Sequence, residues 1–506
     1  MLGAVMGGLM ENVSLVVGMR ALLLVAFCFY CAAAWAVLRA RSRVPALMKE
    51  VRIERSMRLT LKFGLAFILA LGMWYYIHAV LIPYQRKQAA EHKAPYSRNL
   101  GDLFPRWLGT RELLLHGRDP YSPEVTREIQ TAAYGEALDG RQHNLAIDEQ
   151  RFAYPAYVLF LLAPTIDLPF PLVRDLFRLV LIALTAASMP LWLQALRLSV
   201  PRSTTAIITL LVLGSYPVIQ GLYLQQLTLL VCFLMAASCA ALVSGMLVPA
   251  GILLALATVK PQLAMGVVAW CAVWAIGDWK RRKQLAGAFV LTIALLWLGA
   301  NWVLPGWFGR WWTATHAYLG YNDSRSLLQV LLGRFGGGVV SVLIGLGVAL
   351  NCWRMRRAPA GSYAFNACLL SVLTAGLLIK PKFPLYDITI LLPAILALWS
   401  YRKALWERAL AARALLSATA SLVAWQWIWG LALAALSLVA PATAQSGWRL
   451  PPAALFFLPL AVASLIGLFT IDVWIRGALS GAVTSVAGHA AGVTFEAAAA
   501  NGSLSR

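Results

Sequence analysis

The stretch LTLKFGLAFILALGMWYYIHAVLIP at residues 59–83 decides the fold class, because it is one long apolar run with a single charged side chain, Lys62. About 20 consecutive apolar residues are enough to cross a membrane as a helix. Similar runs recur along the 506 residues, of which 60% are hydrophobic and 13% charged. Since a soluble domain carries about 25% charged residues, the sequence predicts an all-α, polytopic membrane protein.

The segments on either side of this run indicate its orientation. The connector before it holds six Lys or Arg residues between 41 and 58, which marks the cytoplasmic side. The segment after it, 84–152, holds ten acidic and ten basic residues and is neutral, although the chain has a net charge of +22. We therefore predict that 84–152 is a large loop on the non-cytoplasmic side.

Further basic connectors at 280–283, 354–357 and 402–413 are also cytoplasmic markers. Between them we predict about 12–14 transmembrane helices, several of which are too short to cross alone and should be tilted, broken or re-entrant. The stretch 153–245 contains four apolar runs where the charge pattern requires an odd number of crossings. One of these four runs should therefore not cross completely.

The predicted organisation has five parts. They are two N-terminal transmembrane helices (1–83, the first at 14–38), the outer loop with amphipathic helices (84–152), a membrane core (153–400), C-terminal transmembrane helices (401–476) and a disordered cytoplasmic tail (477–506).

Composition and missing motifs exclude several function classes. The excess positive charge lies in the connectors, so it indicates membrane topology and lipid contact and not nucleic-acid binding. All seven Cys residues lie in apolar runs, which argues against a disulfide framework. The sequence has no phosphate-binding loop of an ATPase, no D-x-D and no metal-ligand spacing, so we predict no metal and no cofactor.

The outer loop contains a helix signal next to an acidic residue. Apolar residues recur at helical spacing from Leu103 to Leu115, and Gly117 is a plausible stop. Such a helix, with Trp107 on its apolar face, is expected along the membrane surface. Asp102 stands just before the helix.

This loop and several later segments resemble glycosyltransferase family 87. These are enzymes of the GT-C fold, among them mannosyltransferases that use polyprenyl-phosphate mannose. Three departures are visible: Ala156 replaces a second Pro, the Gln-Gly order near 220–226 is altered, and two residues are inserted near 322. The resembling segments, spread over about 100–400, are 102–107, 113–114, 117–121, 152–155, 220–226, 251–261, 321–334 and 380–387.

The resemblance implies an integral membrane glycosyltransferase with membrane lipids around it. It would move a sugar, mannose favoured, from a polyprenyl-phosphate donor to a lipid or glycan acceptor, with inversion. The site would face the non-cytoplasmic side of a bacterial inner membrane. A transporter or flippase and a lipid-linked-glycan ligase are the alternatives. Because the chain has no evident internal repeat and most charges stand at the ends of spans, the enzyme is favoured over the transporter.

Asp102 is the candidate general base, because the family places its catalytic Asp in the first outer loop and a carboxylate is the usual base in sugar chemistry. Alternatively, Asp102 caps the helix that follows it, and the two roles are compatible. Asp119 is a second candidate base, but Asp-Pro-Tyr is also an ordinary turn.

Four cationic or titratable residues are predicted near the donor phosphate: Lys260, Lys380, Arg325 and His316. Each Lys ends an apolar run, so the alternative is that it extends to the membrane surface. His316 has the alternative of a solvated loop residue. Predicted acceptor or sugar contacts are Asp119, Tyr121, Tyr154, Asn322 and Gln225, and the aromatic residues at 302–321 suit either sugar stacking or an interfacial belt.

Overall fold

The computed structural model describes residues 46–91, 100–138, 148–321 and 324–475, with side chains from residue 57 onward. The predicted first span at 14–38, Asn322 and the predicted tail at 477–506 lie outside the described residues. The chain divides into two compact units, residues 1–65 and 66–506. The described part of the first unit is helical, and the features treated below belong to the second.

The described ranges contain helices and connecting segments and no β-strand, which confirms the predicted all-α class. The helices are α1 (Ala46–Tyr76), α2 (Ile82–Glu91), α3 (Leu103–His116), α4 (Pro123–Tyr134), α5 (Leu159–Leu162), α6 (Phe170–Ala195), α7 (Arg202–Leu213), α8 (Tyr216–Tyr223), α9 (Leu227–Val243), α10 (Leu247–Ala257), α11 (Pro261–Gly277), α12 (Trp279–Val303), α13 (Trp307–Tyr321), α14 (Leu327–Arg354), α15 (Tyr363–Ile379), α16 (Leu392–Arg408), α17 (Leu410–Ser437), α18 (Pro441–Ser446), α19 (Leu450–Ala453) and α20 (458–475). Short π- or 3₁₀-helical segments lie at Ile77–Leu81, Ala156–Val158, Ala163–Thr165, Leu385–Leu391 and Ala454–Phe456.

Seven helices within the described ranges are long and apolar enough to cross a membrane, and an eighth crossing results if α7 and α8 count as one bent span. Five shorter apolar helical segments accompany them, α10, α11 and α15 among them. The sequence-based count of 12–14 spans includes these shorter helices and the run at 14–38. The protein is a multi-pass membrane protein.

The chain path between 153 and 245 follows from helix lengths. The first apolar run forms a helical segment of only ten residues, Ala156–Thr165. Ten residues rise about 15 Å, half the thickness of the hydrocarbon. Helix α6 is long enough to cross, whereas α7 and α8 are bent by 58° around Ser215. Pro217 in the first turn of α8 has no backbone N–H to give to α7, which explains a break at this position.

Helix α9 lies at the centre of the membrane core. It packs along α6 on one side and α10 on the other, and most of its side chains are buried. Its N-terminal end is polar, with Gln226 before the helix and Thr228 in its first turn, both almost completely buried. Buried polar groups require partners, so this end of α9 marks a place where other polar residues must converge.

Gly251 allows α10 to approach α12 closely. A Cβ atom at this position would lie 2.5 Å from the Leu285 carbonyl oxygen and 2.9 Å from the Phe289 backbone nitrogen. Because backbone atoms cannot rotate away, the two helices would have to separate, and such overpacking typically costs about 1–3 kcal/mol. We expect Gly251→Ala to lower the thermal unfolding temperature of the purified protein in detergent.

Gly287→Ala is the matched control on α12, since its added Cβ would meet no atom within 4 Å. It should unfold at the wild-type temperature. A Gly251→Ala protein as stable as this control would show that the two helices tolerate a wider spacing.

The outer loop folds into two described helices. Helix α3 begins after Asp102 and ends at Gly117, whose φ of 67° lies in the left-handed region, as the sequence predicted. Trp107, however, does not face lipid: it is buried, contacts Phe170, and donates a hydrogen bond from Nε1 to the Thr165 carbonyl oxygen at 3.1 Å. The Trp107 side of α3 therefore packs on the protein, whereas Leu115 near its C-terminal end is exposed.

Candidate active site

A cavity of about 240 Å³ collects charged side chains from distant parts of the chain. Its walls come from the start of α3, the segment 148–155, the start of α11, the helix α13 and the segment 380–387. The charged lining residues are Arg106, Arg151, Lys260, Lys380 and Lys382 as cations and Asp102, Asp148 and Asp387 as carboxylates. With five cations and three carboxylates, the lining favours an anionic ligand.

The polar residues of the cavity stand where helices begin or end. Asp102, Gln226 and Lys260 each occupy the position before a helix, and Lys380 follows the last residue of α15. Pro261 is the first residue of α11, so a new helix begins directly after Lys260. Within a membrane protein, non-helical backbone is tolerated where it is buried in protein or lines a cavity. The ends of these helices meet around the cavity described above.

The Asp102 carboxylate does not cap the helix that it precedes. Asp102 stands at the cap position of α3, but its side chain makes no capping hydrogen bond. The backbone N–H of Asp102 donates to the Leu224 carbonyl oxygen at 2.9 Å, which fixes the start of α3 against the end of α8. The carboxylate instead accepts a hydrogen bond from the Gln226 side-chain amide. Asp102 therefore occupies the capping position of α3 but does not make the capping hydrogen bond.

The surroundings of Asp102, which lies outside the spanning helices, make its carboxyl group a weaker acid. Burial of the carboxyl and, second, the nearby Asp148 carboxylate raise the pKa of Asp102 to about 6. The cations Arg106, Lys382 and Lys260 act in the opposite direction. A carboxylate with a pKa of about 6 is largely ionised at neutral pH and is still basic enough to take a proton.

Lys260 and Lys380 meet on one buried carboxylate. Lys380 Nζ lies 2.6 Å from Asp387 Oδ2, and Lys260 Nζ lies 3.2 Å from Asp387 Oδ1. Thr228 Oγ1 also donates to Asp387 at 2.6 Å. Asp387 is 1% exposed, and the lysines are 4% and 7% exposed. The two lysines therefore do not extend to the membrane surface, and the three ionised groups carry one net positive charge.

A chain of hydrogen bonds joins this cluster to Asp102. Lys260 Nζ donates to Gln226 Oε1 at 3.3 Å, and the same Gln226 amide donates to the Asp102 carboxylate. The candidate base and the two lysines are thus separated by one glutamine side chain.

Lys382 connects three elements at the edge of the cavity. Its Nζ lies 2.9 Å from Asp148 Oδ1 and 2.7 Å from the Tyr318 hydroxyl. Its backbone φ is 58°, which is unusual for a residue with a side chain, and its carbonyl accepts from Lys380 Nζ at 2.7 Å. The segment 380–387 is thereby fixed to the outer loop and to α13.

Arg325 and His316 lie outside the wall of this cavity. Arg325 lines a neighbouring open groove with Gln329 and Arg334, and Leu319 borders both spaces. His316 is exposed on α13, where its Nδ1 lies 3.0 Å from the Trp312 carbonyl oxygen. The two lysines are therefore brought together, and Arg325 and His316 are not placed with them.

Asp119 and Tyr121 hold the turn after α3. Asp119 accepts a hydrogen bond from the backbone N–H of Tyr121 at 2.9 Å and forms an ion pair with Arg310 at 2.8 Å. The Tyr121 hydroxyl donates to the Tyr154 carbonyl oxygen at 2.6 Å. These contacts are those of a turn that supports the cavity wall, and neither residue lines the cavity.

Of the remaining predicted contacts, Tyr154 lines the cavity and Gln225 does not. Gln225 is completely buried and donates to the Leu222 carbonyl oxygen at 3.1 Å, whereas its neighbour Gln226 faces the cavity. Among the aromatic residues at 302–321, Trp311 and Tyr318 line the cavity, while Trp302 is 88% exposed and suits an interfacial belt.

Several lining residues were not singled out from the sequence, among them Arg106, Asp148, Gln226, Lys382 and Asp387. Asp387 had a usable signal, because a carboxylate that closely follows a lysine at the start of an apolar run needs a partner. The others had none, since their neighbours in space are distant in sequence. Within the described part of the chain, no group of three or more His, Cys, Asp or Glu residues has the arrangement of a metal site.

One protein-family model matches part of the chain. The model for glycosyltransferase family 87 matches residues 152–381, which include Tyr154, Gln226, Lys260 and Lys380, and it ends before Asp387. None of the curated proteins matches the chain. The all-helical, multi-pass architecture agrees with the GT-C-type fold that the resemblance implies. This family match covers 230 of the 506 residues and supports membership of glycosyltransferase family 87, and with it a membrane glycosyltransferase.

Proposed function

We propose that this protein transfers a sugar from a polyprenyl-phosphate donor to a hydroxyl group of a lipid or glycan acceptor, with inversion. The observation that carries the proposal is the chain of contacts from Asp102 through Gln226 to Lys260 and Asp387 in one cavity. Transfer from a lipid phosphate needs a base close to cations that stabilise the leaving phosphate. Mannose is the favoured sugar, because the resembling enzymes use polyprenyl-phosphate mannose.

In the proposed step, the acceptor hydroxyl oxygen attacks C1 of the donor sugar. A bond forms between this oxygen and C1, and the bond between C1 and the phosphate oxygen breaks. The hydroxyl proton moves to the Asp102 carboxylate, and the polyprenyl phosphate leaves with the bonding electrons. One displacement from the face opposite the phosphate inverts the configuration at C1.

Lys260 and Lys380 are assigned to the leaving phosphate. Their single carboxylate partner, Asp387, offsets only one of two charges, so the cluster can accept an anion. Each ammonium group is a compact positive charge. Its attraction to the leaving oxygen strengthens as negative charge develops there. Arg325 and His316 lie outside the cavity and have no part in this step.

The non-cytoplasmic face of a bacterial inner membrane is the proposed location of the cavity. Helix α11 runs from Lys260 at the cavity to Gly277, just before the basic residues 280–283. At that end, Arg282 donates to the carbonyl oxygen of Arg356 at 2.8 Å, so two basic connectors lie together, away from Lys260. Basic connectors favour the cytoplasmic side, which supports a non-cytoplasmic location for the cavity at the other end of α11.

The test is transfer by the purified protein in detergent, supplied with polyprenyl-phosphate mannose and a bacterial membrane lipid extract as acceptor. We expect release of polyprenyl phosphate together with a mannosylated lipid, and no product from a nucleotide-linked mannose. A transporter would move the donor across liposomes without releasing polyprenyl phosphate. Absence of release with polyprenyl-phosphate mannose and with other polyprenyl-phosphate hexoses would contradict the proposal.

A further inference from the structure

Arg106 is a buried cation whose surroundings differ from those of the other cations in the cavity. It lies in the first turns of α3, lines the cavity and is only 7% exposed. One terminal nitrogen donates to the Asp102 carbonyl oxygen, while Nε has no hydrogen-bond partner. Among the residues that the structure describes, no carboxylate lies within ion-pair distance of this guanidinium, and the Asp102 carboxylate interacts with it only from farther away.

The other lining cations each have a carboxylate partner. Lys260 and Lys380 share Asp387, and Lys382 pairs with Asp148 at 2.9 Å. Arg151 pairs with Glu149. A guanidinium cannot lose its proton to avoid burial, so a buried and unpaired Arg is expected where a ligand brings the missing negative charge.

The guanidinium is also in contact with an aromatic ring. Its central carbon lies over the Tyr154 ring, 3.9 Å from the ring centre, a cation–π contact. Its Nε has no hydrogen-bond partner, and an Arg edge matches the two oxygens of a phosphate or carboxylate.

The position of Arg106 relative to Asp102 indicates which substrate supplies the anion. Asp102 contacts Arg106 through its own backbone carbonyl and reaches Lys260 only through Gln226. The acceptor hydroxyl must bind at Asp102, on the face of the sugar opposite the leaving phosphate. With the donor phosphate assigned to the lysines in the proposed function, the Arg106 side of Asp102 remains for the rest of the acceptor.

We propose that Arg106 forms a second anion-binding subsite of the cavity, separate from the two lysines, and that it holds an anionic group of the acceptor close to the hydroxyl that is glycosylated. The inference rests on the proposed function. The acceptor class would be a glycolipid or glycan with a phosphate or carboxylate near the reacting hydroxyl.

The first arm of the test measures binding of inorganic phosphate to the purified protein by ³¹P NMR titration. We expect two sites in the wild type. Arg106→Met should weaken one site at least tenfold, and Lys380→Met should weaken the other. Arg111→Met is the matched control, because Arg111 is on the same helix and outside the cavity lining. Phosphate binding by Arg106→Met that equals the wild type would overturn the inference, even if Lys380→Met still loses its site.

The second arm compares two synthetic acceptors, octyl mannoside and its ring phosphate, with polyprenyl-phosphate mannose as donor. The wild type should have at least a tenfold higher kcat/KM for the phosphorylated acceptor. Arg106→Met should lose this preference and keep the donor KM. If Arg106→Met raises only the donor KM, the anion belongs to the donor and the inference fails. It also fails if this variant only moves the pH profile, since Arg106 would then merely adjust Asp102. Transfer itself continues in these failures, so they are distinct from failure of the proposed function.

Discussion

Replacing Asp102 with Asn is expected to lower kcat for sugar transfer by about 10²–10⁴-fold, the usual contribution of a general base. The amide keeps the size of the side chain but cannot take the acceptor proton. Since Asp102 makes no capping hydrogen bond, the substitution should leave α3 and the unfolding temperature nearly unchanged. The measurements are initial rates of polyprenyl phosphate release and thermal unfolding in detergent.

The pH dependence of the wild type gives an independent check on this role. Burial and the neighbouring Asp148 carboxylate raise the pKa of Asp102 to about 6, and Arg106, Lys382 and Lys260 also face it. The base is needed in its ionised form. The value of kcat/KM should therefore fall about tenfold for each pH unit below 6 and be level above it. Asp102→Asn should lose this acid limb together with its rate.

Asp119→Asn is the matched control for a carboxylate in the same loop. Asp119 pairs with Arg310 outside the cavity lining, so its substitution should retain most of the transfer rate. A fully active Asp102→Asn protein, or a greater loss in Asp119→Asn, would remove Asp102 from the role of base.

The second large effect is expected for substitutions at Asp387 and Lys380. The first should mainly lower stability and the second should mainly weaken donor binding. Asp387→Asn leaves Lys260 and Lys380 buried without a counter-charge, and breaking such a buried pair typically costs about 3–5 kcal/mol. Lys380→Met instead leaves Lys260 paired with Asp387, a neutral arrangement. We expect Asp387→Asn to unfold at a clearly lower temperature, and Lys380→Met to remain close to the wild type.

Transfer should respond differently from stability in these variants. Lys380→Met removes the excess positive charge that binds the donor phosphate, so we expect the donor KM to rise at least tenfold, about 1.4 kcal/mol of binding free energy. Lys403→Met, at an exposed position, is the control and should resemble the wild type. An active Lys380→Met protein with lowered stability would mean that the pair only supports the fold.

Much of the fold could be predicted from the sequence because the bilayer imposes one requirement on every segment. A run such as 59–83 must form its backbone hydrogen bonds within a helix, because lipid offers no partners. The length of the run and the charges beside it can be read directly from the sequence. Breaks were predicted where runs were too short, and α10, α11 and α15 are short helices. The membrane-surface position of α3 stays a prediction, and its Trp107 side packs on Phe170, which periodicity cannot distinguish from a lipid-facing side.

The site was predicted in part, and the misses share a cause. Asp102, Lys260, Lys380 and Tyr154 carry local signals, and the structure places all of them in one cavity. Gln225 and Gln226 are adjacent and chemically identical. The backbone of Gln225, with φ of 48°, turns its side chain back to the Leu222 carbonyl, and only the fold decides that Gln226 faces Asp102.

The sequence by itself determined that the protein is a multi-pass helical membrane protein, and it pointed to the first outer loop for chemistry. These properties depend on local composition, run length and charge, which the sequence displays directly. Only the tertiary structure decided which charges meet. Asp387 lies between two lysines that are 120 residues apart in the chain, and Gln226 bridges from Lys260 to Asp102. Such pairings result from how broken helices pack, and they depend on distances that no local pattern encodes.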